Sequence, residues 1–562
     1  GPITGGDTEI TGSFTVQEAT DLANILQVGK LPARTRIIQE SLIGPSLGKD
    51  NIRKSLWAMS IGFLLVLAFM LFYYGRGGLV AIIALIANLF FIVGALASLG
   101  TVLTLPGIAG IVLTMGMAVD ANVIIYERIR EELRAGKSLL TSIAEGFKHS
   151  MSAILDSNAT TLLIGIVLIY FGIGPIKGFG TVLIVGIVFT VFTALLMSRL
   201  IIDYWVGKGN AIDFWTKSTK DLFTHFNYNW IGMRKKAYMF SGILILIGLI
   251  SIFTRGFDLG VDFKGGYSYN INMGSTPITS EHLRTALSGS LEGSPIVKAV
   301  DVANNYNVTT SYLINDQAAD APDRVVEKIF DGIKTLPGGE NLTLDNLKNP
   351  EGKGIHIISF TKVGPTIADD IRTSSLWATI VGLIVIFLYI LVRFNKWQYS
   401  LGAVLSLFHD VMITIGLFSL LHGIIPVPLE IDQAFIAALL TLIGYSINDT
   451  VIVFDRIREF SSTYSTLTLP EIVNKAVNTT LTRTIITSLT VFFTIVVLLF
   501  FGGSSIKGFA FAMTVGVVVG TYSSIFIASP ILVDFASKKG GDMLNKTKPG
   551  GAKAKPMAEK VK

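Results

Sequence analysis

The feature that most constrains this chain is a motif that occurs twice, each time at the end of a long apolar segment. The first copy is GMAVDANVIIYERIRE, from Gly116 to Glu131, and the second is GYSINDTVIVFDRIRE, from Gly444 to Glu459. Seven of the sixteen aligned positions are identical. Further along each half, GPIKGF at Gly174 is matched by SSIKGF at Ser504. Parallel repeats of this kind commonly build membrane transporters whose site lies between the halves. The sequence therefore predicts a duplicated membrane protein.

The acidic residues of the two motifs do not superpose. Asp120 aligns with Asn448, and Asp449 aligns with Ala121. Successive residues of a helix are about 100° apart, so the repeat keeps a polar cluster while it moves the charge around the helix. We expect Asn122 and Asn448 to belong to the same polar network.

Composition supports a protein that lies mostly in lipid. Hydrophobic residues make up 51% of the 562 residues and charged residues only 15%, a balance typical of membrane proteins. The chain has no cysteine, which excludes disulfides, thiolate metal sites and cysteine nucleophiles. The net charge is +6. Residues 256–370 hold 9 Lys and Arg against 15 Asp and Glu, a net of −6, so the remainder carries +12. This asymmetry indicates membrane orientation rather than nucleic-acid binding, because short cytoplasmic loops collect Lys and Arg.

Eleven apolar runs are long enough to cross a bilayer as helices, which needs about 20 residues. They occur as five, then one, then five. One further helix before the first residue would complete two sets of six, so we expect the chain to be truncated at its N-terminus. The predicted spans are Ser55–Tyr74, Leu79–Leu99, Leu103–Ile125, Ala153–Phe171, Phe179–Trp205, Ala237–Phe253, Thr373–Val392, Tyr399–Leu421, Ala434–Phe454, Thr482–Phe501 and Phe509–Phe535.

The basic loops place the ends of the two motifs on the cytoplasmic side and the soluble segments outside. The predicted fold class is a polytopic α-helical membrane protein with a pseudo-two-fold repeat and a small α+β extracytoplasmic domain. Its predicted parts are the end of a first extracytoplasmic domain (1–54), a helical bundle (55–206), a cytoplasmic linker (207–236), a single helix (237–255), the α+β domain (256–370), a second bundle (371–536) and a basic tail (537–562).

Local patterns predict further elements within these parts. Alternating apolar residues favour strands at Tyr267–Met273, Gly354–Thr361 and Leu31–Glu40. Helical periodicity is found at Thr15–Gln27, Ser280–Leu287 and Ala321–Lys334, and also at Lys137–Lys148 and Pro470–Val477, which we expect to be separate short helices on the cytoplasmic face.

Buried charges mark the candidate site. An ionised residue at the centre of a spanning helix costs about 2.5–3.5 kcal/mol, so it needs a partner or a function. Asp120 and Asp449 lie about 9–10 Å inside the membrane boundary, from the rise of 1.5 Å per residue. Arg483 begins the next span of the second half and is a natural neighbour of Asp449. One interpretation is a structural salt bridge; the other is a relay in which the carboxylates take up and release protons.

Three more polar residues lie at membrane depth. Asp156, in LDSNATT near the start of a span, is the acidic counterpart of Arg483 in the first half and is included in the predicted relay. His409 and Asp410 lie within one span, and Asn88 occupies their place in the first half. They are equally consistent with a place in the network and with structural packing.

Several kinds of chemistry are excluded by sequence. The nearest approach to a phosphate-binding loop, RAGKS at Arg134, has Glu131 where the first glycine belongs. Six scattered histidines give no metal-ligand spacing, and no G-x-S-x-G elbow is present. We therefore predict no enzymatic activity, no cofactor and no metal.

These motifs together resemble the SecDF family, the fused SecD–SecF accessory subunits of bacterial protein export within the resistance-nodulation-division (RND) superfamily. Residues 1–206 are similar to the end of SecD through GPSLG, GMAVDANVIIYERIREE, LDSNATT and GPIKGF. Residues 237–536 are similar to SecF through LGVDFKGG, VGP, HD, GYSINDTVIVFDRIRE, LTRTIITS and SIKGF.

The resemblance implies a partner of the SecYEG channel in the bacterial cytoplasmic membrane, with YajC and a YidC-type insertase as possible further partners. It implies that the proton motive force drives late export or release of a preprotein on the outer side. The membrane carboxylates and arginine of the family correspond to Asp120, Asp449 and Arg483, with Asp156 as a further polar member. Two alternatives stay open: an RND transporter of a lipid or small molecule, and a scaffold of the export channel that transports nothing.

Overall fold

The structure is a computed structural model of the whole chain. It describes residues 12, 39–43, 45–101, 104–222, 226–275, 277–300, 304–316, 318, 320–352, 354–425, 427–464 and 466–537. The helix expected at Thr15–Gln27 and the basic tail lie outside the described residues.

Eleven helices of the described chain are long and apolar enough to cross a membrane, which confirms the predicted fold class. Their apolar faces can be left in lipid because each helix satisfies its own backbone hydrogen bonds. We number them α1 (Pro45–Tyr74), α2 (Arg76–Ser98), α3 (Leu105–Arg134), α4 (Leu139–Phe171), α5 (Pro175–Phe192, Thr193–Met197 and Ser198–Gly207), α6 (Arg234–Arg255), α7 (Pro365–Phe394), α8 (Trp397–Leu421), α9 (Gln433–Thr463), α10 (Leu469–Phe501) and α11 (Ser504–Ser523, Ser524–Ala528 and Ser529–Ser537).

The repeat seen in the sequence is also present in the helices. The last helix of each half, α5 and α11, is interrupted by one π-helical turn, at Thr193–Met197 and at Ser524–Ala528. In each half a hydroxyl group caps this turn, with Ser198 donating to the carbonyl of Thr193 and Ser529 to that of Ser524. Such turns are rare and frequently mark functional sites, so their presence in both halves indicates a retained feature of the scaffold.

The two short surface helices expected from the sequence are not separate elements. Lys137–Lys148 belongs to the first turns of α4, and Pro470–Val477 belongs to the first turns of α10. The helices start there because Ser138 caps α4, and Thr468 with Glu471 forms a capping box for α10. No cap or proline separates these turns from the spans, so each helix runs on into the membrane.

The soluble domain is a five-stranded antiparallel sheet, with order β1-β5-β2-β4-β3, packed against helices. Strands at 267–273 and 354–361 and helices at 280–287 and 321–334 are confirmed, with small differences at their ends. The helix at Ala321–Lys334 buries Val325, Ile329 and Ile333 against the sheet, at the spacing of one helical face. The strands are β1 (Gln39–Ile43), β2 (Gly266–Met273), β3 (Ile296–Ala299), β4 (Asn305–Thr310) and β5 (Ile355–Val363); the helices are Ser280–Ser290, Ala321–Lys334 and Leu344–Lys348.

Strand β1 precedes α1 in the chain, yet it pairs along its whole length with β5 of the soluble domain. The two outer segments that the sequence suggested as separate parts therefore share one sheet. Only residues 39 and 40 of the strand expected at Leu31–Glu40 are described, and both are in β1.

The domain is joined to one end of the bundle, which we call the domain end; the opposite end, where α3 and α9 finish, is the motif end. Gly265 and Gly266 lead from α6 into β2 with φ angles of 69° and 128°, which glycine adopts without strain. A side chain at Gly266 would also come within 2.6 Å of the carbonyl oxygen of Thr310.

Lys298 of β3 fixes the domain to the bundle. Its Nζ lies 2.7 Å from Asp258 and 2.8 Å from Glu430, which precede the domain and α9 respectively. Burial lowers the pKa of Lys298, but the carboxylates of Glu430 and Asp258 outweigh this and raise it. This ion triad therefore holds the sheet against the start of α9.

Candidate functional site

Helices α3 and α9, which carry the two motifs, form the centre of the bundle. In an apolar stretch of 18 residues in each helix, 89% and 94% of the residues are buried inside the protein, more than in any other described membrane helix. The polar residues of the motifs therefore face other helices rather than lipid.

Asp120 meets the residue that is its own counterpart in the repeat. Asn448 Nδ2 donates to Asp120 Oδ2 at 3.0 Å, and this bond joins α3 to α9. Two equivalent residues can touch only where the axis that relates the halves passes between them. The side-chain pair Asp120–Asn448 thus marks the pseudo-two-fold axis.

Asp449 lies one position further on and faces the second half. Its Oδ2 accepts from Ser488 Oγ of α10 at 3.3 Å, and Ser488 Oγ lies 2.6 Å from Thr521 Oγ1 of α11. The carboxylate is 3% exposed. Asp449 is therefore bound by a hydroxyl group of its own half, whereas Asp120 is bound across the axis.

Arg483 supplies the positive charge of this centre. Its side chain is partly buried and acts electrostatically on both Asp120 and Asp449. Its Nε and Nη2 atoms have no hydrogen-bond partner, and neither have Oδ1 of Asp120 or Oδ1 of Asn448. We call Asp120, Asn448, Asp449 and Arg483 the central cluster.

A cavity of about 770 Å³ connects the central cluster with the motif end. Arg483 and Ile124 line its deep end, while Glu131 and Arg456 line its mouth. A second, polar cavity of about 10 Å³ lies beside Asp120 and Asn448 and is lined also by Thr114 and Thr161. That is about the space of one water molecule. The cluster therefore lies between a wide opening at one end and a single small polar space.

The charged ends of the motifs bind one another across the axis. Arg456 of α9 pairs with Glu131 of α3, and Arg128 of α3 lies 3.5 Å from Glu459 of α9. These are equivalent residues exchanged between halves, so the contact is reciprocal. The repeated arginines and glutamates thus hold the two central helices together at the motif end.

The remaining predicted site residues occupy different places. Asn122 Oδ1 accepts from Ser198 Oγ at 2.7 Å, next to the π turn of α5, so this side chain belongs to the first half. Asp156 is bound by Arg393 Nε at 2.6 Å and by the Tyr389 hydroxyl at 3.0 Å, both on α7. The structure therefore places Asp156 in a paired bridge between the halves. Sequence reasoning missed Arg393 and Tyr389, although a lone arginine near the end of an apolar span is a signal worth testing.

His409 and Asp410 are both buried and form a second polar group in α8. His409 Nδ1 lies 2.8 Å from Asp410 Oδ1. Asp410 Oδ2 accepts from Ser446 of α9 at 2.5 Å and from Ser523 of α11 at 2.8 Å. Serines in apolar spans carry no distinctive pattern, so sequence reasoning did not identify these partners.

One acidic group has the ligand types for a cation. Glu132, Glu145 and His149 lie together at the motif end. Lys137 Nζ lies 2.6 Å from Glu132 and also pairs with Glu145. The lysine already supplies the positive charge that a metal ion would bring, so these residues are accounted for as an ion-paired cluster.

At the domain end, two carboxyl groups lie outside the membrane helices. Asp262 accepts from the amide of Gln433 at 3.3 Å, and Asp432 caps α9 by accepting from the amide of Phe435 at 2.7 Å. Burial raises the pKa of Asp262. Burial first, and then the charge of Asp262, raises the pKa of Asp432 to about 7. Asp432 therefore changes protonation near neutral pH.

Comparison with known proteins agrees with this architecture. Residues 26–208 and 344–538 match the family described as protein export membrane protein SecD/SecF, C-terminal. Residues 1–33 match the SecDF P1 head subdomain, and residues 250–272 match the SecD/SecF GG motif. The last match covers Gly265 and Gly266.

Whole-chain relatives carry the same name. The chain is 34% identical over 547 residues to the protein translocase subunit SecDF of Brucella abortus biovar 1, which covers 96% of this chain and 67% of the relative. It is 37% identical over 541 residues to that of Thermus thermophilus, covering 96% and 69%. The crystal structure of SecDF from Thermus, a translocon-associated membrane protein, superposes with a TM-score of 0.79 at 36% identity, covering 95% of this chain and 69% of that one. The chain therefore belongs to the SecDF family of protein translocase subunits.

Proposed function

We propose that this chain uses the proton motive force to drive late export and release of preproteins across the cytoplasmic membrane of a bacterium. The observation that carries the proposal is the central cluster: two buried carboxyl groups on and beside the axis between the halves, with Arg483 acting electrostatically on both. Proton relays in membranes are built from such residues.

The proposed relay begins at Asp120 and Asp449 and ends in the cavity beyond Arg483. Protonation of either carboxyl group removes one negative charge that faces Arg483 and frees the guanidinium to turn toward the cavity. The opposed arginines and glutamates of the motif ends allow the halves to shift and pair again. One proton crossing about 100 mV supplies about 2.3 kcal/mol, enough to bias such a shift. Asp156 is proposed as a further polar member that moves with Arg393.

The orientation and partners follow the same proposal. The motif end faces the cytoplasm, and the soluble sheet lies on the outer side, where it acts on the emerging polypeptide. The SecYEG channel is the proposed main partner, with YajC and a YidC-type insertase as possible further ones. The work comes from proton flow, with no enzymatic step and no bound cofactor.

Export of a lipid or small molecule receives less support. The apolar cavity between the halves at the domain end is lined by Leu168, Ile371 and Leu440 and has a volume of about 10 Å³. Sites for drug-sized ligands usually measure about 300–1,000 Å³ and are lined mostly by apolar side chains. The cavity of about 770 Å³ at the motif end has that size, but charged and polar side chains form most of its lining.

The test follows a secretory polypeptide halted in transit, in right-side-out vesicles that hold the complete protein. Release is measured with and without an imposed proton gradient, for the wild type and Asp449→Asn. We expect gradient-dependent release to be lost in Asp449→Asn while complex assembly is unchanged. Asp534→Asn is the matched control, because this α11 carboxylate is already paired with Arg234 at 3.0 Å. Equal release by Asp449→Asn and the wild type at every gradient would leave the scaffold interpretation as the better one.

A further inference from the structure

The proton-relay proposal leaves His409 and Asp410 without a role. Both side chains are buried, at 4% and 0% exposure, in the middle of α8. Packing alone does not require a histidine and a carboxyl group at membrane depth, where each polar group is costly. The first half has Asn88 at this place, hydrogen-bonded to Thr190 of α5 at 3.3 Å. The pair is therefore a feature of the second half alone.

The hydrogen bonds around His409 fix the position of one proton. The Tyr522 hydroxyl donates to the carbonyl of Ala237, so at the 3.1 Å contact it accepts from Ser241 Oγ. Ser241 Oγ must then accept from His409 Nε2 at 3.0 Å, which leaves Nδ1 facing Asp410 Oδ1. A single proton between these two atoms keeps the pair neutral, whichever atom holds it. Gain or loss of a proton leaves a net charge in the bundle.

The pair bridges the central cluster and the helix that leads into the soluble domain. On one side, Asp410 is bound by Ser446, which lies one turn before Asp449 on α9. On the other side, His409 is bound by Ser241 of α6, and α6 ends at Arg255, immediately before the domain. Gly248 of α6 and Gly416 of α8 pack without side chains between them, since a Cβ on Gly416 would lie 2.9 Å from Gly248. The two helices are therefore in close contact along this path.

Three consecutive residues of α11 link the central cluster to the His409–Asp410 pair. Thr521 contacts Ser488, the hydroxyl partner of Asp449. Tyr522 stacks on the imidazole of His409 with ring centres 5.9 Å apart, and Ser523 binds Asp410. The π turn at Ser524–Ala528 follows directly. A change at Asp449 can thus reach the pair through one turn of α11.

No charged side chain contacts the pair among the described residues of the helices around α8, and Tyr522 is the titratable side chain that does. On α6, Arg234 and Tyr238 bind Asp534, and on α7, Tyr389 and Arg393 bind Asp156. Asp449 lies one turn after Ser446 on α9, so it is the group of the central cluster that these hydrogen bonds link to the pair. The titratable and charged residues of those helices are Lys507, Tyr522 and Asp534 of α11, Tyr445, Asp449, Asp455, Arg456, Arg458 and Glu459 of α9, Arg234, Lys235, Lys236, Tyr238 and Arg255 of α6, and Asp369, Asp370, Arg372, Tyr389 and Arg393 of α7.

We propose that His409 and Asp410 form a second proton-exchanging pair, which positions α6 according to the charge state of the central cluster. The pair acts through the hydroxyl row Thr521–Tyr522–Ser523 and does not touch the substrate. This inference rests on the proposed proton coupling and adds to it the link between proton uptake and the soluble domain.

The first test is infrared difference spectroscopy of the complete protein in lipid between acidic and basic pH, with Asp410→Asn used to assign the Asp410 carboxyl band. We expect the titration midpoint of this band to move by about one pH unit or more in Asp449→Asn, as for two coupled sites. A band that does not respond to Asp449→Asn, or no titration of Asp410 at all, would show a static structural pair and overturn the proposal.

The second test measures gradient-dependent release. Asp410→Asn and His409→Gln should each lower it by about ten-fold or more, a barrier change of about 1.4 kcal/mol, and should shift its pH profile. Asn88→Leu, at the equivalent place in the first half, is the control and should keep both rate and profile. Equal losses of gradient-dependent release in Asn88→Leu and Asp410→Asn would show that His409 and Asp410 contribute only to packing.

A disulfide tests the movement of α6. Ser251 Oγ and Ser419 Oγ lie 3.0 Å apart between α6 and α8, and the sequence has no native cysteine. In Ser251→Cys with Ser419→Cys, oxidation should stop gradient-driven release and reduction should restore it. Unchanged release after oxidation would contradict a moving α6. Release that ignores the gradient in the wild type, with the Asp410 band still responding to Asp449→Asn, would reject the export proposal alone.

Discussion

The two halves of the bundle share a scaffold but differ in charge. Each half ends in a helix with a π turn, and each brings a motif glycine into close contact with a helix of the other half: Gly116 with α10 and Gly444 with α4. At the centre, the first half contributes one acidic side chain, Asp120. The second half contributes Asp449 and Arg483, together with the His409–Asp410 pair of α8. The halves thus share these helix features, whereas the titratable groups at the centre are concentrated in the second half.

In the proposed relay, this difference means that the two halves do not respond alike to protonation. The direction of proton flow is set by the gradient, whereas the asymmetry decides which half changes charge. Here Arg483 lines the deep end of the cavity that opens at the motif end, while Asp120 lies beside the small polar space. The domain is joined to the second half through α6, α7 and the Lys298 triad, and to the first half through β1, which leads into α1. The half with more central charge therefore also has more connections to the domain.

The largest effect is expected from removing the charge of the second half. Asp449→Asn should lower gradient-driven release by about fifty-fold at 100 mV, because the work of one proton, about 2.3 kcal/mol, is lost. Asp120→Asn places asparagine at both axis positions and should lower release similarly while the contact between α3 and α9 is kept. Release from vesicles at several imposed potentials measures both. A variant that keeps the voltage dependence of the wild type would show that its carboxyl group carries no proton.

Two partly buried arginines that act on acidic side chains of the bundle allow a second comparison. Arg483→Gln leaves two buried carboxylates uncompensated and should cost about 3 kcal/mol in unfolding free energy, besides abolishing gradient-driven release. Arg393→Gln removes a partner of Asp156 whose side chain is already 14% exposed. It should cost less, about 1 kcal/mol, and preserve part of the response to the gradient. Thermal unfolding in detergent and the release assay measure the two effects. Equal stability losses would contradict the difference in pairing.

The membrane helices and most residues of the central cluster could be predicted from the sequence. Two copies of one motif predicted the repeat, and the apolar runs predicted all eleven membrane helices of the described chain. The alignment showed that Asp120 and Asn448 are equivalent residues of the repeat, but only the structure shows that their side chains touch. An alignment identifies equivalent positions and gives no information on how far they lie from the axis.

Other features depend on tertiary packing. Asp156 was grouped with the relay because of its depth, but Arg393 and Tyr389 come from a helix that is remote in sequence. The serines around Asp410 are common residues in apolar spans and become informative only when they converge. Strand β1 joins a sheet built from residues more than two hundred positions away, and local alternation cannot select such a partner.

The motif glycines offer a test of packing between the halves. A Cβ on Gly116 would lie 3.1 Å from the backbone Cα of Val491, whereas one on Gly444 would meet the flexible side chain of Ile164 at 3.3 Å. Gly116→Ala should therefore destabilise the bundle by about 1–3 kcal/mol and Gly444→Ala by less, because backbone moves less easily than a side-chain end. Unfolding temperatures of the two variants decide this. An equal or reversed order would mean that the halves adjust their spacing freely.

The smallest effect concerns the caps of the two central helices at the domain end. Thr104 caps α3 by accepting from the amide of Gly107, and Asp432 caps α9 in the same way.

The pKa of Asp432 is raised from 3.8 to about 7, first by burial and then by the charge of Asp262. A raised folded-state pKa stabilises the fold fully below the ordinary value and loses this contribution as pH rises through about 7. The start of α9 should therefore loosen between pH 6 and pH 8, and the start of α3 should not. Amide hydrogen exchange, corrected for its intrinsic pH dependence, should be up to about ten-fold faster at Phe435 at the higher pH. Gly107 is the internal control, and Asp432→Thr, which gives the second half the cap of the first, should remove the difference. A pH response of equal size at both caps would assign it to the bundle as a whole, and none at Phe435 would mean that Asp432 does not titrate in this range.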